Sequence, residues 1–62
     1  MGIKKYREAA GMNQKDLADK LNVNQTAVSM WETGKVTPRY DKLLKMAQMF
    51  GCSIEDLMKK EE

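Results

Sequence analysis

The side chains of this chain that could do chemistry are amides and hydroxyls gathered in one uncharged run. From Asn22 to Trp31 there is no charged residue, and the run holds Asn24, Gln25, Thr26 and Ser29. Amides and hydroxyls both donate and accept hydrogen bonds. That is the chemistry that reads base edges in the major groove of DNA, where a glutamine amide pairs with adenine N6 and N7. Met30, in the same run, suits either a thymine methyl or simple exposure. By polarity alone an ordinary solvated helix face would look the same, so the placement of these residues has to separate the two readings.

The remaining inventory excludes most other chemistry. There is no histidine and one cysteine, Cys52. The sequence offers no metal-ligand cluster, nucleophile–base pair or glycine-rich phosphate loop, and 62 residues leave little volume for a pocket. An enzyme is therefore not expected, nor any cofactor or small-molecule ligand. Cys52 cannot close an internal disulfide and reads as a small buried apolar residue in a reducing compartment.

The elements that must position the uncharged run are two short helices meeting at a sharp corner. The first, opening at Gln14, carries Leu17, Ala18 and Leu21 on one face. The second carries Val28, Trp31 and Glu32 on one face. Asn22, between them, is suited to the left-handed conformation of a tight corner. Val23 plugs the corner from below, Ala18 lets the helices approach, and Asn24 caps the second helix. Thr26, Ser29, Met30 and Thr33 then face outward, with Gln25 at the exposed N-terminal end.

Around this pair the chain supplies three more helices. One runs over Ile3–Ala10 with Ile3, Tyr6, Arg7 and Ala10 as its stripe and Gly11 as its end. Asn13 and Asp16 make a box-like cap for the helix at Gln14. Gln14 stands where free N–H groups and a positive dipole end suit a phosphate. Thr33 and Gly34 close the third helix. Thr37–Pro38 opens a fourth, with proline at its first position and Tyr40, Leu43, Leu44, Ala47 and Phe50 as its buried stripe. Gly51 ends it. Ser53 caps a fifth with Asp56 three residues on, and Ile54, Leu57 and Met58 pack inward. The closing KKEE is expected to fray. Arg7 and Glu32, opposite charges each on an inward stripe, should satisfy one another. Trp31 and half-buried Tyr6 belong with the core.

Size and charge agree with one small all-α domain over residues 1–62. The chain is 42% apolar and 32% charged, which suits a compact fold. A chain this short buries only about 60% of its unfolded surface. It has no apolar run long enough to span a membrane and no signal-peptide core. The net charge of +2 is small, but Lys35, Arg39, Lys42 and Lys45 crowd the middle while Glu55, Asp56, Glu61 and Glu62 crowd the end. One face is thus suited to an anion and another is turned from it.

The run from Lys5 to Leu57 resembles the Cro/repressor-type (XRE-like) helix-turn-helix family. The matching residues are Arg7, Gly11, Gln14, Leu17, Ala18, Leu21, Val23, Val28, Trp31, Glu32, Gly34, Pro38, Leu43, Leu44, Ala47, Phe50 and Leu57, with no insertion or deletion between them. Asn22 stands where many members carry glycine, and Met30 where polar readers are common. The resemblance implies a compact five-helix bundle whose third helix enters the major groove of double-stranded DNA. It implies base reading by Asn24, Gln25, Thr26, Ser29 and Met30, phosphate contacts from Gln14, Lys35, Thr37 and Arg39, and an Arg7–Glu32 ion pair. It also implies a homodimer on a pseudo-palindromic operator, joined near Gly51 to Ser53 and the fifth helix. The expected role is a transcriptional regulator, a repressor, in the cytoplasm of a bacterium or encoded by a phage. A protein-interaction module on the same fold, antitoxin-like or bridging, is the alternative.

Overall fold

The computed structural model describes residues 1–59. Five helices follow one another: α1 (Ile3–Ala9), α2 (Gln14–Leu21), α3 (Gln25–Glu32), α4 (Tyr40–Phe50) and α5 (Ile54–Met58). They pack into a body of 24 × 23 × 21 Å. No strand occurs among the described residues, so the chain is an all-α bundle. Of the KKEE run only Lys59 is described, so the fraying expected there falls outside the described residues.

Local side-chain chemistry sets the helix starts. Asn13 and Asp16 form a reciprocal capping box on α2: Asp16 N–H donates to Asn13 Oδ1 at 2.7 Å and Asn13 N–H to Asp16 Oδ2 at 3.1 Å. Ser53 and Asp56 do the same for α5 at 3.0 and 3.2 Å. At the corner between α2 and α3, Asn22 adopts φ 57°, ψ 45°. The N–H of Val23 then reaches back to the Ala18 carbonyl at 3.0 Å, closing the last turn. Asn22 is the only non-glycine residue with positive φ among the described residues. Two residues on, Asn24 returns to extended backbone, and its Oδ1 accepts from Ala27 N–H at 2.9 Å.

The core gathers Ile3 from α1, Leu17, Ala18 and Leu21 from α2, Val28 and Trp31 from α3, Leu43, Met46 and Ala47 from α4, and Leu57 from α5. Tyr6 is half-buried and stacks on Phe50, ring centroids 6.2 Å apart. The start of the chain is fastened to its end, because Gly2 N–H donates to the Leu57 carbonyl at 2.8 Å.

Four expectations are corrected. α1 stops at Ala9, and Ala10 is exposed. α4 begins two residues later than proline at its first position would require: Pro38 is buried ahead of the helix, and Arg39, extended at φ −65°, ψ 157°, is the cap residue. The inward stripe of α4 is Leu43, Met46, Ala47 and Phe50, whereas Tyr40 is 68% exposed and Leu44 39%. Both stripes have helical spacing, and the one that faces α2 and α5 is the one buried. In α5, Ile54 and Leu57 pack inward but Met58 is exposed, because the helix ends there and Lys59 turns extended.

Candidate nucleic-acid interface

The residues singled out for base contact lie on α3 and the corner before it. Gln25 and Thr26 occupy its first turn and are exposed. Met30 is exposed one turn on, and Ser29 is half-buried. Asn24 is exposed, but the cap engages its oxygen, so only its NH2 group is left to bond elsewhere. Thr33 contributes less than its position suggests. Its hydroxyl donates back to the Ser29 carbonyl at 3.1 Å and lies 3.3 Å from that of Met30.

Beneath this face lies an ion pair. Arg7 Nε donates to Glu32 Oε2 at 2.6 Å and Arg7 Nη2 to Glu32 Oε1 at 3.2 Å, a bidentate geometry. The two side chains are 9% and 4% exposed. Arg7 Nη1 also donates to the Met12 carbonyl at 2.8 Å. The Glu32 hydrogen bond raises the Arg7 pKa against the opposing effect of burial, so the guanidinium stays charged. Every buried side-chain polar atom among the described residues has a partner.

Sequence reasoning missed where this pair leads. Gln14 Nε2 donates to Glu32 Oε1 at 3.0 Å, and Gln25 Nε2 donates to Gln14 Oε1 at 3.4 Å. Four side chains from α1, α2 and α3 thus form one connected series ending at the outer face of α3. Gln25 and Glu32 are seven residues apart and share a helix face, a signal that could have revealed the link. Gln14 remains half-buried at the start of α2, beside the N–H groups suited to a phosphate.

Lys35, Thr37 and Arg39 are all exposed on the connection between α3 and α4. Arg39 makes no side-chain cap on α4, because a guanidinium has no acceptor for the backbone N–H groups there. An open cleft of about 480 Å³ separates this connection from the α2–α3 corner, with Val23, Trp31 and Val36 among its lining residues. Lys42 also lines it and is half-buried. Its Nζ donates to the Leu21 carbonyl at 3.0 Å, satisfying the end of α2. The structure brings Gln14, Gln25 and the ion pair together. The α3–α4 connection contributes its three residues separately from that series.

The helix-turn-helix family model matches residues 3–57. HTH-type transcriptional activator BcrR of Enterococcus faecalis is 33% identical over 60 residues, 97% of this chain and 29% of that protein. HTH-type transcriptional regulator ImmR of Bacillus subtilis is 35% identical over 60 residues, 97% of this chain and 47% of that protein. An uncharacterized HTH-type transcriptional regulator of Methanocaldococcus jannaschii is 38% identical over 55 residues, 89% of this chain and 83% of that protein. The chain thus spans less than half the length of BcrR and of ImmR. No solved structure gives a significant match.

Proposed function

The chain belongs to the helix-turn-helix family of the Cro/repressor type, and from that premise we propose that it is a sequence-specific regulator of transcription that binds double-stranded DNA. α3 enters the major groove N-terminus first. Gln25, Thr26 and Met30 read base edges, with the Asn24 NH2 group and Ser29 at the margin. Gln14, Lys35, Thr37 and Arg39 contact phosphates and fix the register. Residues 1–62 act as one domain. Two copies bind a pseudo-palindrome with their α3 helices one turn apart, ~34 Å, joined near Gly51 to Ser53 and α5. Occupancy alone suffices for repression, whereas activation needs a further protein contact, so repression is the simpler role. The setting is the cytoplasm, in association with the nucleoid, for a protein encoded by a bacterium or a phage. Among the described residues no helix is long and apolar enough to cross a membrane.

The observation that carries this reading is an exposed, uncharged α3 start whose glutamine is tied to a buried ion pair. An amide with a neighbouring partner loses less freedom on contact with a base edge than one without. Selection of bound sequences from a random DNA pool tests it. An enriched, two-fold symmetric site with half-sites about 10 bp apart is expected. No enrichment, with weak binding that vanishes in salt, would favour a protein-interaction module. Tyr40 and Leu44, apolar and exposed one turn apart on α4, are the observation that favours that second reading.

A further inference from the structure

The hydrogen bonds from the buried ion pair to Gln25 have a direction, and the direction has a source. An ionised carboxylate accepts and never donates. Glu32 Oε1 therefore needs an N–H from Gln14, and receives Nε2 at 3.0 Å. That leaves Gln14 Oε1 toward Gln25, which must answer with an N–H and does so through Nε2 at 3.4 Å. Free on Gln25 are its Oε1 and the second hydrogen of Nε2. A glutamine amide is nearly the same shape either way round, so only its partners decide which end points where.

We propose that Glu32 is a positioning residue for base reading. Its carboxylate, held by Arg7, sets the polarity of both glutamine amides, so that Gln25 offers the groove one acceptor beside one donor. The inference rests on the reading of α3 as the DNA-reading helix. Adenine N6 donates and its N7 accepts, which complements that pair of groups; guanine O6 and N7 both accept and call for two donors. The choice between adenine and guanine at one base pair of each half-site is thus made by a residue beneath the surface. Glu32 has no alternative arrangement. Arg7 is donor-only, engages both carboxylate oxygens, and is fixed at its far end by the Met12 carbonyl. The two side chains are 9% and 4% exposed, so water offers them few other partners. The Gln14–Gln25 bond is the longest and most exposed of the series. In a groove from which the base has displaced water, Gln14 is the partner Gln25 retains.

Glu32→Gln tests this. Its oxygen keeps the shorter bond from Arg7 Nε, and its NH2 takes the place of Oε1 toward Gln14, giving up the longer bond from Arg7 Nη2. The series then reverses: Gln14 donates to Gln25 Oε1, and Gln25 shows two N–H groups to the groove. Gln25→Ala first identifies the base pair concerned, as the one where preference relaxes. Competition between two duplexes differing there by adenine and guanine is then measured, with a thermal melt of each variant. The unaltered protein should prefer adenine by about tenfold, a typical yield of one bidentate contact. Glu32→Gln should bring guanine to within about twofold or ahead, while the salt slope stays the same. A merely structural Glu32 would weaken both duplexes equally and keep the adenine preference, which overturns the inference. If Glu32→Gln does not fold, Gln14→Met decides, since it spares the ion pair and cuts the series one link later. Loss of one phosphate contact there weakens both duplexes alike, and the adenine preference should fall to near parity; an unchanged preference overturns the inference. An unaltered protein with no preference for any sequence instead overturns the reading of α3, and the inference with it.

Discussion

Glu32 accepts three hydrogen bonds from two side chains, and all three fail together if it is removed. Glu32→Ala should leave Arg7 shielded from water without its partner, at a cost of about 3–5 kcal/mol in unfolding free energy. Replacing Arg7 and Glu32 together with apolar residues should cost much less, because no lone charge remains. Urea denaturation of both variants checks this, and a Glu32→Ala midpoint no lower than that of a surface substitution would mean the pair is solvated. Asp56 supports a second prediction. Its pKa lies below the ordinary 3.8, chiefly because Ser53 N–H donates to its carboxylate. A depressed folded value means that the cap stabilises the fold above the ordinary value and is lost as pH falls through the folded one. The thermal midpoint should fall on acidification below about pH 4, with a shallower fall in Asp56→Asn. Tyr6 acts at the other limb. Burial first, then the Asp56 and Cys52 charges, raises its pKa above 10.0. Its contribution is complete below pH 10.0 and is lost as pH rises through the raised value.

At the scale of elements, each helix is fixed at its ends by a few local contacts, and two ends depart from the best local choice. Arg39 occupies the cap position of α4, where Ser, Thr, Asp or Asn would accept a backbone N–H. Arg39→Ser should therefore raise stability by roughly 0.5–1 kcal/mol. In the proposed complex it should weaken binding to all DNA sequences alike and lower the salt slope by about one per site. A stability gain with unchanged DNA binding would remove Arg39 from the phosphate contacts. Gly2 precedes α1, and a Cβ there would lie 2.8 Å from the Asp56 carbonyl oxygen. That oxygen belongs to backbone and cannot turn aside, so α1 and α5 must separate. Gly2→Ala should cost about 1–3 kcal/mol in chemical denaturation, the range for overpacking a close contact. A neutral result would show that the junction between the first residues and α5 yields freely.

For the whole molecule, the proposed readers and positioners should fail differently. Lys35→Ala should weaken preferred and random DNA alike and lower the salt slope by about one per site occupied. Gln25→Ala should lose roughly 1–3 kcal/mol on the preferred site, little on random DNA, and leave the slope where it was. Binding titrations at several salt concentrations separate the two. Equal weakening of all sequences by Gln25→Ala would move recognition off the α3 face. The exposed Tyr40 and Leu44 belong to this scale as well. The helix they stand on fills the core with Leu43, Met46 and Ala47, and leaves these two on its outer side.

Much of the fold was legible because its signals close within one turn of chain. The Asn13–Asp16 and Ser53–Asp56 boxes, the left-handed Asn22 and the Asn24 cap each join residues at most three or four apart, and their geometry follows from neighbours alone. The stripes of α2 and α3 were equally plain, because each helix offers one apolar face. α4 offers two overlapping stripes with the same spacing, and only what packs across from it selects Met46 over Tyr40 and Leu44. Opposite charges on inward stripes made the Arg7–Glu32 pair readable. The partners of Gln14, and the bond from Lys42 to the end of α2, join residues 11 to 21 positions apart. Side-chain type fixes what such groups can donate or accept, but the packing of α1, α2, α3 and α4 decides which of them come within reach.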